Sequence, residues 1–163
     1  VRARRVDNRC RARWFRVQLP LRPNGVRGWI RARDVVVRPV TARIIVDLSS
    51  RRVSLYQRGR RVMWTRAAIG TPATPTPVGL YYVNQRLIPY SPYGAFGPGA
   101  IGISAFSEVH TGWAQGGPVA IHGTNRPELI GQRVSNGCIR VQNDALRRLF
   151  VRALPGTPVT VRL

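Results

Sequence analysis

Hydrophobic and polar residues alternate in short runs along this chain. Residues 14–19 (WFRVQL) alternate, the turn-forming run at residues 22–25 (RPNG) follows, and residues 28–37 (GWIRARDVVV) resume the pattern. Because successive side chains of a β-strand point to opposite faces, such runs are typical of strands with one buried face. The first forty residues are therefore predicted to form a small β segment that closes near Pro39.

The same pattern continues to the C-terminus. Predicted strands cover residues 43–48, 53–57, 62–69, 80–87, 100–106, 119–122 and 159–163. The first three of these are separated by short turns and predict a β-meander. Residues 71–77 (TPATPTP) contain three prolines, which lack the N–H that a central strand needs, so they predict an ordered loop. Residues 88–99 and 107–118 are also predicted loops.

One stretch near the C-terminus has helical periodicity. Asn143 is its predicted N-cap, and Ala145, Leu146, Leu149 and Phe150 fall on one apolar stripe. A Pro-Gly-Thr-Pro run ends it. The predicted fold class is therefore mainly β, with one short C-terminal helix.

Composition adds a strong positive charge. The 163 residues include 27 basic residues, all of them Arg, against 6 acidic ones, for a net charge of +21. One interpretation is attraction to a polyanion such as nucleic acid, anionic lipid or an anionic wall polymer. The other is a general preference for Arg, Ala, Val, Gly and Pro, which we favour because the Arg residues are spread along the chain. Aromatic residues make up only 8% and are not interleaved with Arg, so no specific nucleic-acid binding is predicted.

The termini and the few cysteines and histidines limit which other classes of protein the chain can belong to. No apolar run approaches the ~18–20 residues of a membrane span, and the first residues lack the apolar core of a signal peptide. Since the chain does not begin with Met, we expect a trimmed fragment. The cysteines are Cys10 and Cys138, and the histidines are His110 and His122. Their spacing matches no zinc motif, so neither a metal nor a cofactor is predicted, and Cys10 is interpreted as incidental.

The most informative stretch is residues 121–141 (IHGTNRPELIGQRVSNGCIRV), in which His122 precedes Cys138 by 16 residues. Ser135, Asn136 and Gly137 form a small, polar run before the cysteine. Such a run can direct backbone N–H groups at one point, as an oxyanion hole requires. A thiol reacts only as thiolate, so its pKa of about 8.5 must be lowered by a nearby cation. A lone cysteine is, however, more often a small buried apolar residue.

These residues resemble the signature of the L,D-transpeptidase catalytic domain family. That signature has a His, a gap, and then Ser/Thr-His-Gly-Cys, often followed by Ile-Arg. Residues 45–56, 74–79 and 155–159 are similar to the family's opening hairpin, Thr-Pro-x-Gly loop and last strand, so the resemblance covers residues 41–163. It implies an L,D-transpeptidase-type β-sandwich. Asn136 stands where the family usually has a second His, and we expect this to change substrate preference or rate rather than abolish activity.

The resemblance also implies roles for individual residues. Cys138 would attack the carbonyl of a peptidoglycan stem tetrapeptide and form a thioester, while His122 takes the thiol proton and could be the activating cation. The carbonyl of Gly123 would fix the tautomer of the imidazole. Backbone amides around Asn136, Gly137 and Cys138 would hold the oxyanion.

Substrate, partners and location follow from the same resemblance. Ser135 is assigned to substrate binding, and Arg140 either contacts a substrate carboxylate or forms a structural ion pair. An amine from a second stem would resolve the thioester into a crosslink, whereas water would give L,D-carboxypeptidase activity. A non-catalytic wall-binding or polyanion-binding protein is the alternative from another class. Stem peptides and carbapenem-type inhibitors are the partners that the resemblance implies, and the net charge of +21 adds anionic wall polymers as a further expected partner. The expected location is extracytoplasmic, secreted or wall-associated, with any anchor lying outside this chain.

Two further interpretations complete the prediction. His110, in a predicted loop, is a rival for the role of base. Residues 14–37 resemble the second half of a bacterial Src-homology-3-type barrel, with Trp14 and Trp29 in its core. The predicted domains are therefore residues 1–40, a partial small-barrel β segment, and residues 41–163, the catalytic domain.

Overall fold

A computed structural model describes residues 1–113 and 116–163. In these ranges the chain forms twelve strands and one α-helix. The strands are β1 (Ala3–Val6), β2 (Ala12–Gln18), β3 (Arg27–Arg31), β4 (Ala42–Asp47), β5 (Arg52–Gln57), β6 (Arg60–Gly70), β7 (Gly79–Leu87), β8 (Ala100–Phe106), β9 (Pro118–His122), β10 (Arg133–Ser135), β11 (Ile139–Val141) and β12 (Pro158–Arg162); the helix is α1 (Asn143–Phe150). Short 3-10 turns lie at Ala32–Asp34 and Pro127–Leu129. Of the predicted loop at 107–118, residues 114 and 115 lie outside the described residues.

Strands β4 to β12 form a sandwich from one continuous set of pairings, in the order β10-β6-β11-β9-β8-β7-β12-β4-β5. The sandwich closes because β6 pairs with β5 along its first half and with β11 and β10 at its end. In the same way, β7 pairs first with β12 and then with β8. The predicted mainly β sandwich with one short helix is confirmed.

The core between the layers follows from the alternation in the sequence. In β4, Ala42, Ile44 and Val46 are buried while the residues between them are more exposed. Residues such as Leu55, Ile101 and others from seven strands and α1 join them in one cluster. Burial of this apolar area, at about 25 cal/mol per Å², is the main force that holds the two layers together.

The N-terminal residues form a separate sheet of three antiparallel strands, in the order β1-β2-β3. The predicted strand at 28–37 is shorter in the structure, because β3 ends at Arg31 and a 3-10 turn follows. Strand β1 was not predicted, since residues 3–6 do not alternate. The prediction that Trp14 and Trp29 lie in a core is wrong: they are 38% and 39% exposed. A three-stranded sheet is too small to cover both of its faces.

Helix α1 packs Ala145, Leu146 and Leu149 onto the sandwich, as the apolar stripe predicted. The predicted N-cap is wrong by one position, because α1 begins at Asn143 and Gln142 occupies the cap without a capping hydrogen bond from its side chain. The Asn143 side chain is engaged elsewhere, as described below. No helix in the described ranges combines the length and apolarity that crossing a bilayer requires.

Candidate active site

Two adjacent parallel strands bring the predicted cysteine and histidine together. Strand β11 lies between β6 and β9, and Ile139 pairs with Ile121 in parallel register. Both isoleucines are fully buried in the core. Because side chains alternate along a strand, Cys138, one residue before Ile139, and His122, one residue after Ile121, point to the opposite face.

The spacing of this pair follows from strand geometry. Neighbouring strands lie about 4.8 Å apart, and two residues along a strand add about 6.6 Å, so the Cα atoms of Cys138 and His122 are separated by roughly 8 Å. An imidazole and a thiol on the same face span such a distance. The site is thus built by the register between β9 and β11, although 16 residues separate the pair in sequence.

Ser135 organises the turn before the cysteine. Its hydroxyl donates to the Cys138 carbonyl oxygen at 2.6 Å and accepts from the Gly137 N–H at 3.2 Å. Gly137 has a φ of +105°, a conformation that side-chain-bearing residues rarely adopt. Ser135 is 0% exposed, so it lies beneath the turn. Its burial supports a role in shaping the turn more than the predicted direct contact with substrate.

The predicted loop at 71–77 supports this turn from the side. The Thr74 hydroxyl donates to the Ser135 carbonyl oxygen at 2.9 Å, and the Thr71 N–H donates to the same oxygen at 3.1 Å. The Thr76 hydroxyl accepts from the Gly70 N–H at 3.0 Å, which anchors the loop to the end of β6. A Cβ on Gly70 would lie 2.3 Å from the Thr74 carbonyl oxygen, so only glycine fits this junction. The proline-rich sequence is ordered because it buttresses the cysteine turn.

His122 is buried and held in one tautomer. Its Nδ1 lies 2.6 Å from the Gly123 carbonyl oxygen, to which it must donate a proton. The hydrogen bond predicted with this carbonyl is therefore present, and it leaves Nε2 as the basic nitrogen of the neutral ring. The ring also meets the Phe96 ring edge to face at 4.9 Å. Since His122 is only 4% exposed, its protonated form is poorly solvated.

Burial sets the protonation states of the pair. Burial lowers the pKa of His122 to about 4, with a smaller lowering by the charge of Arg140 and opposing effects from the carbonyls of Gly123 and Ala95. Burial raises the pKa of the Cys138 thiol, against smaller lowering effects of the Ala120 backbone and Arg140. Both groups are therefore neutral at neutral pH. The expectation that His122 acts as a cation in the resting state is not supported, and the geometry fits a neutral general base instead.

Arg140 lies close to both Cys138 and His122. It pairs in register with His122 on β9 and with Ala68 on β6, and its charge acts on both Cys138 and His122. Within the described residues, its Nε is buried without a hydrogen-bond partner, and neither of the ion pairs there includes it. The alternative of a structural ion pair for Arg140 is thus unsupported, while a role toward a substrate carboxylate stays a prediction.

The predicted oxyanion donors differ in their availability. The Gly137 N–H already donates to Ser135, so it is committed to the turn. Asn136 is exposed and its side chain lies at the surface beside the turn. Gly123 is buried and contributes its carbonyl to His122 rather than an N–H to a substrate. Asn136 is thus the exposed residue of the three, and the role of these backbone groups toward an oxyanion stays a prediction.

Asn143 is a site residue that the sequence prediction assigned to the wrong role. Its side-chain oxygen accepts from the Thr124 N–H at 2.8 Å, and its amide donates to the Thr124 carbonyl oxygen at 3.0 Å. A Cβ on Gly123 would lie 2.4 Å from the same side-chain oxygen, and one on Gly97 would lie 2.3 Å from it. Asn143 thus fixes the segment that carries the histidine-binding carbonyl. The glycine directly after His122 was the available sequence signal for this contact, because a glycine allows another group to pack closely against the backbone.

The remaining candidates lie in other settings. His110 is in the β8–β9 connection, where its ring stacks on Trp113 at 4.0 Å and its Nε2 is buried without a partner in the described ranges. Its rival role as base stays a prediction. Cys10 is exposed in the β1–β2 turn, and both cysteines are free thiols. A cavity of about 530 Å³ lies between the N-terminal sheet and β7, lined by Val17, Ile30 and other residues, and it includes neither Cys138 nor His122.

A closed β-sandwich that brings a cysteine next to a buried histidine fits the general arrangement of cysteine enzymes, in which a base lies beside the thiol. The chain belongs to the L,D-transpeptidase catalytic domain family (YkuD), whose model matches residues 41–161. The putative L,D-transpeptidase YkuD of Bacillus licheniformis is 37% identical over 120 residues, covering 73% of this chain and 64% of that protein. Its namesake in Bacillus subtilis is 33% identical over 119 residues, covering 72% and 64%. The chain thus spans about two thirds of the length of these relatives.

A solved structure supports the same relationship. The Ldtfm–avibactam carbamoyl enzyme is 25% identical, with a TM-score of 0.57, and the match covers 76% of this chain and 49% of that one. The family match begins at residue 41, so the N-terminal sheet and its arginines lie outside it.

Proposed function

We propose that this chain is a peptidoglycan L,D-transpeptidase that works by cysteine acyl transfer. The observation that carries the proposal is the parallel register of β11 with β9, which brings Cys138, the residue before β11, close to His122, the last residue of β9. Family membership supports it, because the relatives are named as L,D-transpeptidases. The substrate would be a stem tetrapeptide and the acceptor an amine of a second stem.

The reaction begins from two neutral groups. The Nε2 of His122 accepts the thiol proton as the Cys138 sulfur attacks the stem carbonyl, so charge appears only as the bond forms. The tetrahedral intermediate collapses, His122 returns its proton to the departing amine, and D-Ala leaves. The product of this half is a thioester on Cys138.

The second half reverses these roles. An acceptor amine attacks the thioester, gives a proton to His122, and displaces the sulfur, which regains its proton as the new amide forms. Water in place of the amine would release the free acid, which is the L,D-carboxypeptidase alternative. Arg140 would stabilise negative charge throughout, because its guanidinium already acts on both groups.

The two cysteines give a matched test of the nucleophile. Purified protein is incubated with a stem tetrapeptide, and mass spectrometry follows D-Ala release and dimer formation. Cys10→Ala should retain both products, because Cys10 is exposed in a remote turn, while Cys138→Ala should form neither. Equal product from Cys138→Ala and the unmodified chain would overturn the assignment.

Covalent inhibitors give a second readout of the same thiol. One matching structure is a carbamoyl enzyme of avibactam, which supports acylation of a family active site by a ring-opening inhibitor. We expect a carbapenem to add the mass of one inhibitor molecule to the peptide containing Cys138 and to leave Cys10 unmodified. A non-catalytic binding protein would form no adduct.

The N-terminal sheet favours a second, additional activity, which is binding of an anionic wall polymer. One face of this sheet carries Trp14 and Trp29 together with four exposed arginines, Arg5, Arg16, Arg27 and Arg31, as the register of β1, β2 and β3 requires. We call it the Arg–Trp face. Arg5 stacks over Trp29 at 4.6 Å and Arg31 over Trp14 at 5.8 Å. The expectation that aromatic residues and Arg are not interleaved is wrong for this sheet.

The chemistry of this face favours a phosphate polymer. In the described ranges none of its four arginines forms an ion pair with a carboxylate. One side of each indole is covered by a guanidinium, which leaves less aromatic surface for stacking bases. We therefore propose a poly(glycerol phosphate) chain as the ligand, bound mainly through the charge of its phosphates.

A charge-matched pair of variants tests this face. Arg5→Ala with Arg31→Ala removes two stacked arginines, and Arg43→Ala with Arg52→Ala removes two that stack on Tyr56 and Trp64 of the sandwich. Affinity for poly(glycerol phosphate) at 150 mM salt should fall at least tenfold in the first and less than threefold in the second. Equal losses would assign binding to net charge alone. Tighter binding of single-stranded DNA of equal charge would overturn the choice of ligand.

The remaining proposals concern context. The substrate class and the charge support an extracytoplasmic, wall-associated location, which fractionation of the native host with an antibody to this chain would test. Residues 1–40 would be the last strands of a Src-homology-3-type barrel, and their three-stranded antiparallel sheet supports this.

A further inference from the structure

The turn between β2 and β3 is fastened to the end of β8. The Asn24 side chain accepts from the Phe106 N–H at 2.8 Å and donates to the Phe106 carbonyl oxygen at 2.8 Å. These two bonds reproduce the pairing that a neighbouring strand would give to the last residue of β8. An amide side chain that satisfies both backbone groups of one residue holds it in position and orientation.

Arg22 fastens both ends of the connection that follows. Its Nη2 donates to the Ser107 carbonyl oxygen at 2.5 Å, and its Nε donates to the Gly116 carbonyl oxygen at 3.1 Å. The guanidinium also lies 5.6 Å from the centre of the Phe106 ring. One side chain from the N-terminal sheet therefore joins the two ends of the β8–β9 connection, by which we mean its described residues, 107–113 and 116–117.

This connection lies at the edge of the sheet where the cysteine sits. Strand β9 runs parallel to β11, so the start of β9 and the start of β11 share one edge. Cys138 directly precedes β11, and the β8–β9 connection directly precedes β9. The backbone of Ala120, three residues beyond Gly117, acts on the Cys138 thiol. The residues of the connection that adjoin β9, Gly116 and Gly117, therefore lie near the edge of the sheet where Cys138 sits.

The described part of the connection is folded tightly on itself. The Ser107 N–H donates to the Gly117 carbonyl oxygen at 2.8 Å, and the Ser107 hydroxyl accepts from the His110 N–H at 3.0 Å. Gly116 and Gly117 have φ values of +76° and +66°, and a Cβ on Gly117 would lie 2.5 Å from the His110 carbonyl oxygen. Backbone pairing of Ser107 with Gly117 joins the two ends of this turn, and the contacts of Arg22 and Asn24 add a second attachment to the same ends.

We propose that Arg22 and Asn24 are positioning residues for the active site, and that the N-terminal sheet serves as a brace for the β8–β9 connection. Both residues lie before residue 41, where the family match begins. The brace holds the described residues of this connection in place at the edge of the sheet where Cys138 lies and where a peptide substrate would approach the thiol. This inference rests on the proposed acyl-transfer function for its effect on activity, but the brace itself is tested without activity.

Hydrogen exchange tests the brace directly. The double variant Arg22→Ala with Asn24→Ala should raise the exchange rate of peptides from residues 107–113 at least tenfold. The matched control is Arg9→Ala with Asn8→Ala, which removes the same residue types from the turn at the other end of β2. The control should leave these peptides unchanged. Unchanged exchange in the double variant would overturn the proposal, whatever the enzyme assay shows.

Kinetics then separates positioning from a general loss of structure. In the double variant, kcat/KM for the stem peptide should fall about tenfold, mainly through KM, while alkylation of Cys138 by iodoacetamide changes less than twofold. Peptides of β1 to β3 should keep their protection, which shows that the sheet still folds. If the peptides of β1 to β3 also lose protection, the single variant Asn24→Asp is measured instead. It keeps the acceptor for the Phe106 N–H and loses the donor, so the exchange rate of residues 107–113 should rise only in part. A full effect or none in Asn24→Asp would contradict the brace.

Discussion

At the residue scale, the proposed chemistry depends on two groups, Cys138 and His122, whose charged forms burial disfavours. His122 is 4% exposed and donates from Nδ1 to the Gly123 carbonyl, so its free nitrogen is a base of low affinity for protons. The Cys138 thiol has a raised pKa for the same physical reason. A neutral pair avoids the cost of two charges in a poorly solvated site and creates charge only in the transition state.

The lowered pKa of His122 predicts a pH dependence of stability. The pKa is about 4 in the folded protein and 6.5 in the unfolded chain, so the unfolded state binds more protons between these values. The contribution is fully present above pH 6.5 and is lost as pH falls toward 4, by about 3 kcal/mol at most. Urea unfolding of the unmodified chain and of His122→Asn, each at pH 7 and pH 4, measures this contribution to the free energy of unfolding. An identical pH dependence in the variant would contradict the pKa.

A second prediction concerns Ser135, whose hydroxyl bridges Gly137 and Cys138. Ser135→Ala leaves a buried N–H without its partner, at a cost of about 1–3 kcal/mol in the free energy of unfolding. Because the turn that carries the nucleophile loosens, kcat should fall at least tenfold. Ser91→Ala, in an exposed loop, is the control and should change neither quantity. A kcat equal to that of the unmodified chain would show that the hydroxyl does not set the turn.

At the element scale, the site is assembled where strands end and a helix begins. Strand β6 ends at Gly70 against the 71–77 loop, β11 begins after Cys138, and α1 begins at Asn143. At each boundary a contact holds the neighbouring segment in place: the 71–77 loop is held at Gly70, the cysteine turn by Ser135, and the segment after His122 by Asn143. The short strands β10 and β11 are too brief to show a pattern of their own, and pairing with β6 makes them strands.

Asn143 links the first turn of α1 to the histidine. Asn143→Ala removes both hydrogen bonds to Thr124 and frees the segment of Gly123, whose carbonyl orients the ring. We expect the free energy of unfolding to fall by about 1–3 kcal/mol and kcat to fall at least tenfold. Denaturant unfolding and the stem-peptide assay measure the two effects. Asn143→Asp keeps the hydrogen-bond acceptor and loses the donor, so its stability and kcat should lie between those of the unmodified chain and Asn143→Ala. Full activity in Asn143→Ala would show that Asn143 does not position the histidine.

At the scale of the whole molecule, the net charge of +21 on 163 residues means that the arginines repel one another. Among the described residues, carboxylate partners are few: Asp47 pairs with Arg162 at 3.1 Å, and Asp34 contacts Arg33 at 3.5 Å. Stacking on aromatic rings accommodates other guanidinium groups, including Arg52 on Trp64 and Arg86 on Phe150. The sheets thus present positive charge on several sides, which suits a polyanionic environment.

Self-repulsion predicts that added salt stabilises the folded chain. Sodium chloride raised from 20 to 300 mM shortens the Debye length from about 20 Å to about 6 Å and screens the repulsion between exposed arginines. The midpoint of urea unfolding at pH 7 should therefore rise with salt. A variant with six exposed arginines replaced by Gln should show a smaller rise. A midpoint that falls with salt in both proteins would indicate that attractive ion pairs dominate.

The sequence by itself determined most of the strands, the apolar stripe of the helix and the two candidate residues, Cys138 and His122. Alternation fixes which side chains face the core, and the small polar run before Cys138 has a local cause that can be read from its residues. Tertiary structure decided the rest. Only strand register places Cys138 beside His122, only burial sets their pKa values, and only packing between the sheets engages Asn24 with Phe106. Register, solvation and inter-sheet contacts depend on residues distant in sequence, so no local pattern records them.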